Sequence, residues 1–248
     1  MVGDDVLELN ICHLYPDLLN VYGDIGNILI LKYRAEKREI IINISNVSIG
    51  DAFSKDDYDI VFFGGGQDYE QSIVSEDLFV KKEELKSYIE ENGVFLAICG
   101  GYQLLGKYYT TADGEKLNGL DILDIYTESG NKRFIGNTVI KNEEMNETYV
   151  GFENHSGRTY IGKLKPLGRV IKGYGNNGED GNEGCIYKNT FCTYFHGSLL
   201  SKNPELADRL LLNALSRKYA TNELIDIDSS LEYKAKNYII GAQKIRAK

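Results

Sequence analysis

The stretch "VFLAICGGYQLLGKYY", residues 94–109, decides how the rest of the sequence is read. Five apolar residues without alternation predict a strand buried on both faces, the type found in parallel sheets. Cys99 follows, then Gly100-Gly101, then a segment, "YQLLGKYY", that reads as helix. A nucleophile on such a strand-to-helix turn is exposed above the sheet. The helix N-terminus favours thiolate over thiol, and the Gly100 N–H points where an oxyanion would form. The competing reading is an inert packing thiol, the usual fate of a buried cysteine.

Working outward, "VLELNICHL" (6–14), "EIIINIS" (39–45) and "YDIVFFGG" (58–65) read as strands. Between them "DIGNILILKYRAEKR" (24–38) reads as a helix with Asp24 as its cap, and "SEDLFVKKEELKSYIEEN" (75–92) as one capped by Ser75. This alternation predicts an α/β fold with a single doubly wound, mainly parallel sheet flanked by helices. From about 120 to 196, short β-like runs between Gly and Asn turns predict antiparallel strands on one edge of that sheet. "NPELADRLLLNAL" (203–215) opens with proline at the first helical position, and the tail from about 228 reads as a C-terminal helix. The expectation is one domain over 1–248 with its core at about 6–215.

The 37 acidic residues outnumber the 28 basic ones, giving a formal net charge of −9 that argues against nucleic acid or an anionic membrane as partner. No apolar run approaches the roughly 20 residues that span a bilayer, and "MVGDDVLELN" lacks a signal peptide's layout. Cys12, Cys99, Cys185 and Cys192 are scattered without metal-ligand spacing, so a reduced, cytoplasmic protein with no metal site is expected.

In open α/β sheets ligands bind beyond the carboxyl ends of the strands, where Cys99 falls. Gly64-Gly65-Gly66 ends a second strand and could bring further N–H donors to the same crevice; otherwise it is an ordinary turn. A thiolate normally needs a base, and the chain has three histidines. His13 reads as a core residue, while His155 and His196 both sit at strand ends and spacing does not choose between them. "GYQLLGK" (101–107) fits a phosphate loop except that Tyr108 stands where Ser or Thr would hold magnesium. "YGDIGN" (22–27) is too weak a match for a dinucleotide fingerprint, so no ATP site is expected here.

Taken together, "AICGGYQLLG" (97–106), "FFGGGQDYEQ" (62–71) and "YFHGSLL" (194–200) resemble the class I glutamine amidotransferases of the cobyric-acid-synthase-like branch. With "LNVYGDIGNI" (19–28) and "GFENHSGRTY" (151–160), the chain looks most like the glutaminase-subunit family of lipid II isoglutaminyl synthases, over about residues 6–215. The resemblance implies Cys99 as nucleophile and His196 as base, with His155 left a structural role. It implies Gly65, Gly66 and Gly100 as oxyanion donors, Gln103 in contact with the bound glutamine, and Arg133 on its α-carboxylate. It further implies that L-glutamine is hydrolysed through a thioester. The ammonia then passes to a Mur-ligase-like synthetase subunit, which forms a heterodimer with this chain and carries ATP and magnesium. That partner amidates the α-carboxyl of D-glutamate in the lipid II stem peptide during peptidoglycan synthesis. Two departures stand out. Ser198 replaces the Glu that many class I relatives place two residues after the histidine, which leaves a dyad or an acid from another strand or chain. Ala97 replaces a common glycine. Rival readings are a cobyric- or cobyrinic-acid amidotransferase component, a freestanding cysteine γ-glutamyl hydrolase, and a regulatory docking module without activity.

Overall fold

The computed structural model describes residues 6–245. The chain opens with β1 (Glu8–Leu14), α1 (Gly26–Glu36), β2 (Ile41–Val47) and β3 (Ile60–Phe63). Helices α2 (Asp68–Leu78) and α3 (Lys82–Glu90) lead to β4 (Val94–Ile98), and a short α4 (Gly100–Leu104) follows Cys99. Every residue of β3 and β4 is buried, as their unbroken apolar sequences require of strands covered on both faces.

Seven of the next nine strands form a second layer: β5 (Tyr108–Thr110), β6 (Lys116–Asn118), β7 (Tyr126–Asn142), β8 (Glu147–Tyr160), β9 (Gly168–Lys172), β10 (Asn182–Glu183) and, near the end, β13 (Phe195–His196). The other two, β11 (Cys185–Tyr187) and β12 (Thr190–Thr193), return to the first sheet. That sheet has the order β11-β12-β4-β3-β1-β2, with β12, β4, β3, β1 and β2 parallel and β11 an antiparallel edge. The parallel sheet and its antiparallel edge strand are as the sequence predicts. Most of the antiparallel pairing lies beyond that edge, in the second sheet. Its centre is the β7–β8 hairpin, with strands of 17 and 14 residues, and buried residues alternate with half-buried ones over the second half of β8, from Glu153 to Tyr160. An antiparallel ladder can face water on one side, so it forms a layer of its own.

Three local readings are corrected. Helix α1 begins at Gly26, and Asp24 caps nothing; Asn20 Oδ1 takes the Ile25 N–H at 2.8 Å. The second helix starts at Asp68 and breaks at the 3-10 turn Phe79–Lys81, so Ser75 lies inside it and its hydroxyl bonds the Ser72 carbonyl at 2.8 Å. Acidic Asp68 and Glu70 in the first turn favour that earlier start. After Cys99 the helix lasts five residues, and Tyr108–Thr110 is strand; Gly106 interrupts the helix, and aromatic and β-branched residues follow.

Helices α5 (Pro204–Tyr219) and α6 (Ser230–Ile245) complete the chain where the sequence places them. Arg34 of α1 holds both: its guanidinium is 1% exposed and forks onto Asp208 with two bonds of 2.7 Å, while reaching Glu232 at 2.9 Å and Ser229 at 3.0 Å. Among the described residues no helix is long and apolar enough to cross a membrane. Replacing Arg34 with Ala strands Glu232 and leaves Asp208 to Arg38 alone, and stability should fall by about 3 kcal/mol in urea denaturation.

Candidate active site

Strand β4 ends on Cys99, whose backbone adopts φ 49° and ψ −101°, a conformation that L-residues avoid unless surrounding structure imposes it. Here three backbone bonds impose it. The Cys99 N–H donates to the Thr193 carbonyl (2.9 Å), the Gln103 N–H to the Cys99 carbonyl (2.9 Å), and the Gly101 N–H to the Gly64 carbonyl (3.1 Å). A Cβ on Gly101 would lie 2.6 Å from the Phe63 carbonyl oxygen, so the two turns approach this closely only with glycine there. The Cys99 side chain remains 8% exposed and faces a cleft of about 320 Å³.

His196 reaches the same point from the second sheet. Its strand β13 pairs with β8, and the preceding β12 pairs in parallel with β4. The chain crosses from one sheet to the other at Tyr194. The imidazole is fully buried, and its Nδ1 lies 3.3 Å from Oδ1 of a buried Asp24. Nε2 is the nitrogen left over, without a hydrogen-bond partner among the described residues. Gly65 marks where the groups meet: a Cβ there would be 2.7 Å from His196 Cε1, 3.2 Å from Cys99 Cβ and 3.3 Å from Asp24 Oδ2. The exposed Tyr22 ring packs edge-on against the imidazole at 4.9 Å.

Asp24 is the residue that the sequence reading missed. In sequence it satisfies the rule for a helix cap, yet its two oxygens hold His196 Nδ1 and the Gly65 N–H (2.9 Å). The available signal was a short carboxylate set between glycines in "YGDIGN". This geometry also corrects the oxyanion assignment, because the Gly65 N–H is committed to Asp24. The N–H groups of Gly66 and Gly100 have no backbone or side-chain acceptor among the described residues. A Cβ on Gly100 would sit 3.1 Å from Gly66 N, so the two donors lie side by side.

Burial opposes charge on His196, but the facing Cys99 sulfur and the Asp24 carboxylate outweigh it and raise its pKa from 6.5 to about 10. A cation held in this way stabilises the fold fully below about pH 6.5, and that contribution is lost as pH rises through about 10. The other histidines differ. Burial lowers His155, whose Nδ1 lies 2.9 Å from the Gly157 carbonyl and whose ring stacks 3.6 Å from that of Tyr194. Burial lowers His13 to about 4, and its ring packs on Phe62 as a core residue. Burial also pushes the Cys12 and Cys192 thiols up.

Gln103 and Arg133 both line the cleft. The Gln103 amide donates to Tyr194 Oη at 3.0 Å, leaving its buried carbonyl oxygen without a partner. Arg133 lies in the register shift between Ser129 and Phe134 of β7, a bulge that re-aims side chains, and its Nε donates to Asn154 Oδ1 at 2.6 Å. The arrangement can carry out acyl transfer: a sulfur nucleophile, an imidazole oriented by a carboxylate, and two backbone donors for a tetrahedral oxyanion. Asp24→Asn should bring the His196 titration down from about 10 by at least one pH unit, read from imidazole NMR shifts.

Residues 10–204 match the CobB/CobQ-like glutamine amidotransferase domain. The chain is 53% identical over 219 residues to the glutamine-hydrolysing subunit GatD of lipid II isoglutaminyl synthase from Streptococcus pneumoniae, covering 88% of this chain and 84% of that protein. The Staphylococcus aureus GatD subunit is 48% identical, over 94% of this chain and 95% of its own length. A probable cobyric acid synthase of Methanococcus maripaludis is 35% identical over 160 residues, only 32% of that protein. A glutamine amidotransferase crystal structure from Thermotoga maritima shares the fold with a TM-score of 0.53 at 15% identity, over 95% of this chain and 94% of that one. The chain belongs to the CobB/CobQ-like glutamine amidotransferase family and groups there with the glutamine-hydrolysing subunits of lipid II isoglutaminyl synthase.

Proposed function

We propose that this chain hydrolyses L-glutamine to glutamate and passes the ammonia to a separate ATP-dependent, Mur-ligase-like synthetase subunit in the cytoplasm. That partner amidates the α-carboxyl of D-glutamate in the lipid II stem peptide. The observation that carries the reading is the junction at Gly65, where Cys99, His196 and Asp24 converge beside two unpaired N–H groups. The high identity to two GatD subunits along most of their length favours lipid II over cobyric acid as the destination.

The steps follow from the groups present. The Cys99 thiolate attacks the side-chain amide carbon of glutamine while imidazolium His196 balances its charge. The N–H groups of Gly66 and Gly100 take the oxyanion. His196, held by Asp24, protonates the departing nitrogen, and ammonia leaves a γ-glutamyl thioester on Cys99. Neutral His196 then draws a proton from water, which attacks the thioester and releases glutamate. Arg133 holds the α-carboxylate during both steps. ATP and magnesium act on the partner, where the acceptor carboxyl is activated.

A glutamine-analogue electrophile should modify Cys99, located by mass spectrometry of digested protein; modification at Cys185 or Cys192 instead would overturn the assignment. Cys99→Ser should lower glutamine turnover by at least about 10³-fold. His196→Ala should come close to that loss, and His155→Ala should lose far less. Equal losses in the two histidine variants would reopen the choice of base.

A further inference from the structure

Among the residues that line the cleft, Arg133 is the one guanidinium and Asp68 the one carboxylate. Arg133 has a role in the reading above; Asp68 has none. Asp68 opens α2, two residues after Gly66 of the glycine turn, and its carboxylate accepts the Tyr109 hydroxyl on Oδ1 (2.7 Å) and the Ala112 N–H on Oδ2 (3.1 Å). Those two bonds fix the carboxylate against the β5–β6 hairpin, and each oxygen keeps a lone pair for another donor. The wall between Asp68 and Cys99 is also rich in acceptors. Gln71, 2% exposed, and Gln103, 3% exposed, each have a side-chain carbonyl oxygen with no partner among the described residues. Gln71 spends its amide on the Gly66 carbonyl at 3.3 Å, and Gln103 spends its own on Tyr194. Burial disfavours a charge on His155.

A cleft with one anion, one cation and buried unpaired acceptors is complementary to a molecule that brings an ammonium, a carboxylate and amide hydrogens. Resting on the glutaminase reading, we infer that Asp68 recognises the α-ammonium of the substrate. It thereby restricts this site to free α-amino acid amides, against simple amides and glutamine already bound through its α-nitrogen. The α-carbon then lies between Asp68 and Arg133, and the side chain runs past Gln103 to Cys99. A substrate without the ammonium leaves a half-buried carboxylate with its two neutral donors and no counter-charge, and a polar site rejects such an analogue strongly.

The test compares L-glutamine with glutaric acid monoamide, the same chain without the α-amino group, using the full chain with its synthetase. Wild-type protein should favour L-glutamine by at least about a hundredfold in kcat/KM. Asp68→Asn should lower kcat/KM for L-glutamine by about ten- to a hundredfold and leave the monoamide within about twofold, so the preference collapses. Tyr109→Phe removes the hydroxyl that fixes Asp68 but keeps the carboxylate, and should keep the preference. Parallel losses on both amides in Asp68→Asn, or loss of the preference in Tyr109→Phe, would mean that Asp68 only fastens α2 to the hairpin and would overturn the inference. Wild-type protein that turned over neither amide would instead remove the glutaminase reading, and the inference with it.

Discussion

The parallel pairing of β12 with β4 is the constraint on which the site depends. It sets Cys192 beside Ala97 and Thr193 beside Ile98, and the Thr193 carbonyl takes the N–H of Cys99 itself. One strand pair thus fixes the turn that carries the sulfur and, three residues beyond Thr193, the imidazole that faces it. Groups 97 positions apart in sequence become neighbours through a backbone ladder, which tolerates far less drift than side-chain packing. Below the site, Glu183 reinforces the crossing. It is buried, its pKa is pushed up to about 8 by desolvation, and it accepts the Tyr194 N–H at 2.7 Å and the Thr193 hydroxyl at 3.0 Å.

The two sheets divide the work. The parallel sheet supplies the strained cysteine turn, the glycine turn and the Asp24 loop, all beyond the carboxyl ends of its strands, where such sheets bind ligands. The second sheet closes the other side of the cleft with Arg133, Asn154 and His155 from the β7–β8 hairpin. His196 sits where the layers join. Ser198, which takes the place of an acid common in related enzymes, packs against the Asp24 loop; a Cβ on Gly26 would meet its Cβ at 2.8 Å. The carboxylate that orients the imidazole comes from that loop in the N-terminal part of the same chain.

Much of this was legible in the sequence. The unbroken apolar run before Cys99 and the glycines after it specify a strand-to-helix turn by local chemistry alone, and the β–α alternation before it specifies the parallel sheet. What was not legible depends on long-range contact. Asp24 and His196 are separated by 172 positions, and an Asp before a helical run satisfies the rule for a helix cap equally well. Gly65 and Gly66 are indistinguishable in sequence; only the position of Asp24 decides which keeps its N–H free. Whether the β-like runs after residue 120 extend the first sheet or build another turns on the crossing at Tyr194, which no local pattern encodes. Choosing His196 over His155 needed the family resemblance, since in sequence both end β-rich runs; in the fold His196 ends β13, whereas His155 lies inside β8.

In the proposed reaction the Cys99 sulfur, the His196–Asp24 pair and the N–H groups of Gly66 and Gly100 act on one carbonyl. The most direct measurement is a crystal structure of the chain bearing a covalent glutamine-derived ketone or thioester. The expected structure has a bond to Cys99 Sγ, the former carbonyl oxygen within hydrogen-bonding distance of both glycine nitrogens, and His196 Nε2 turned toward the leaving-group side. An adduct whose oxygen points away from Gly66 and Gly100, or an imidazole released from Asp24 and turned out of the cleft, would contradict it.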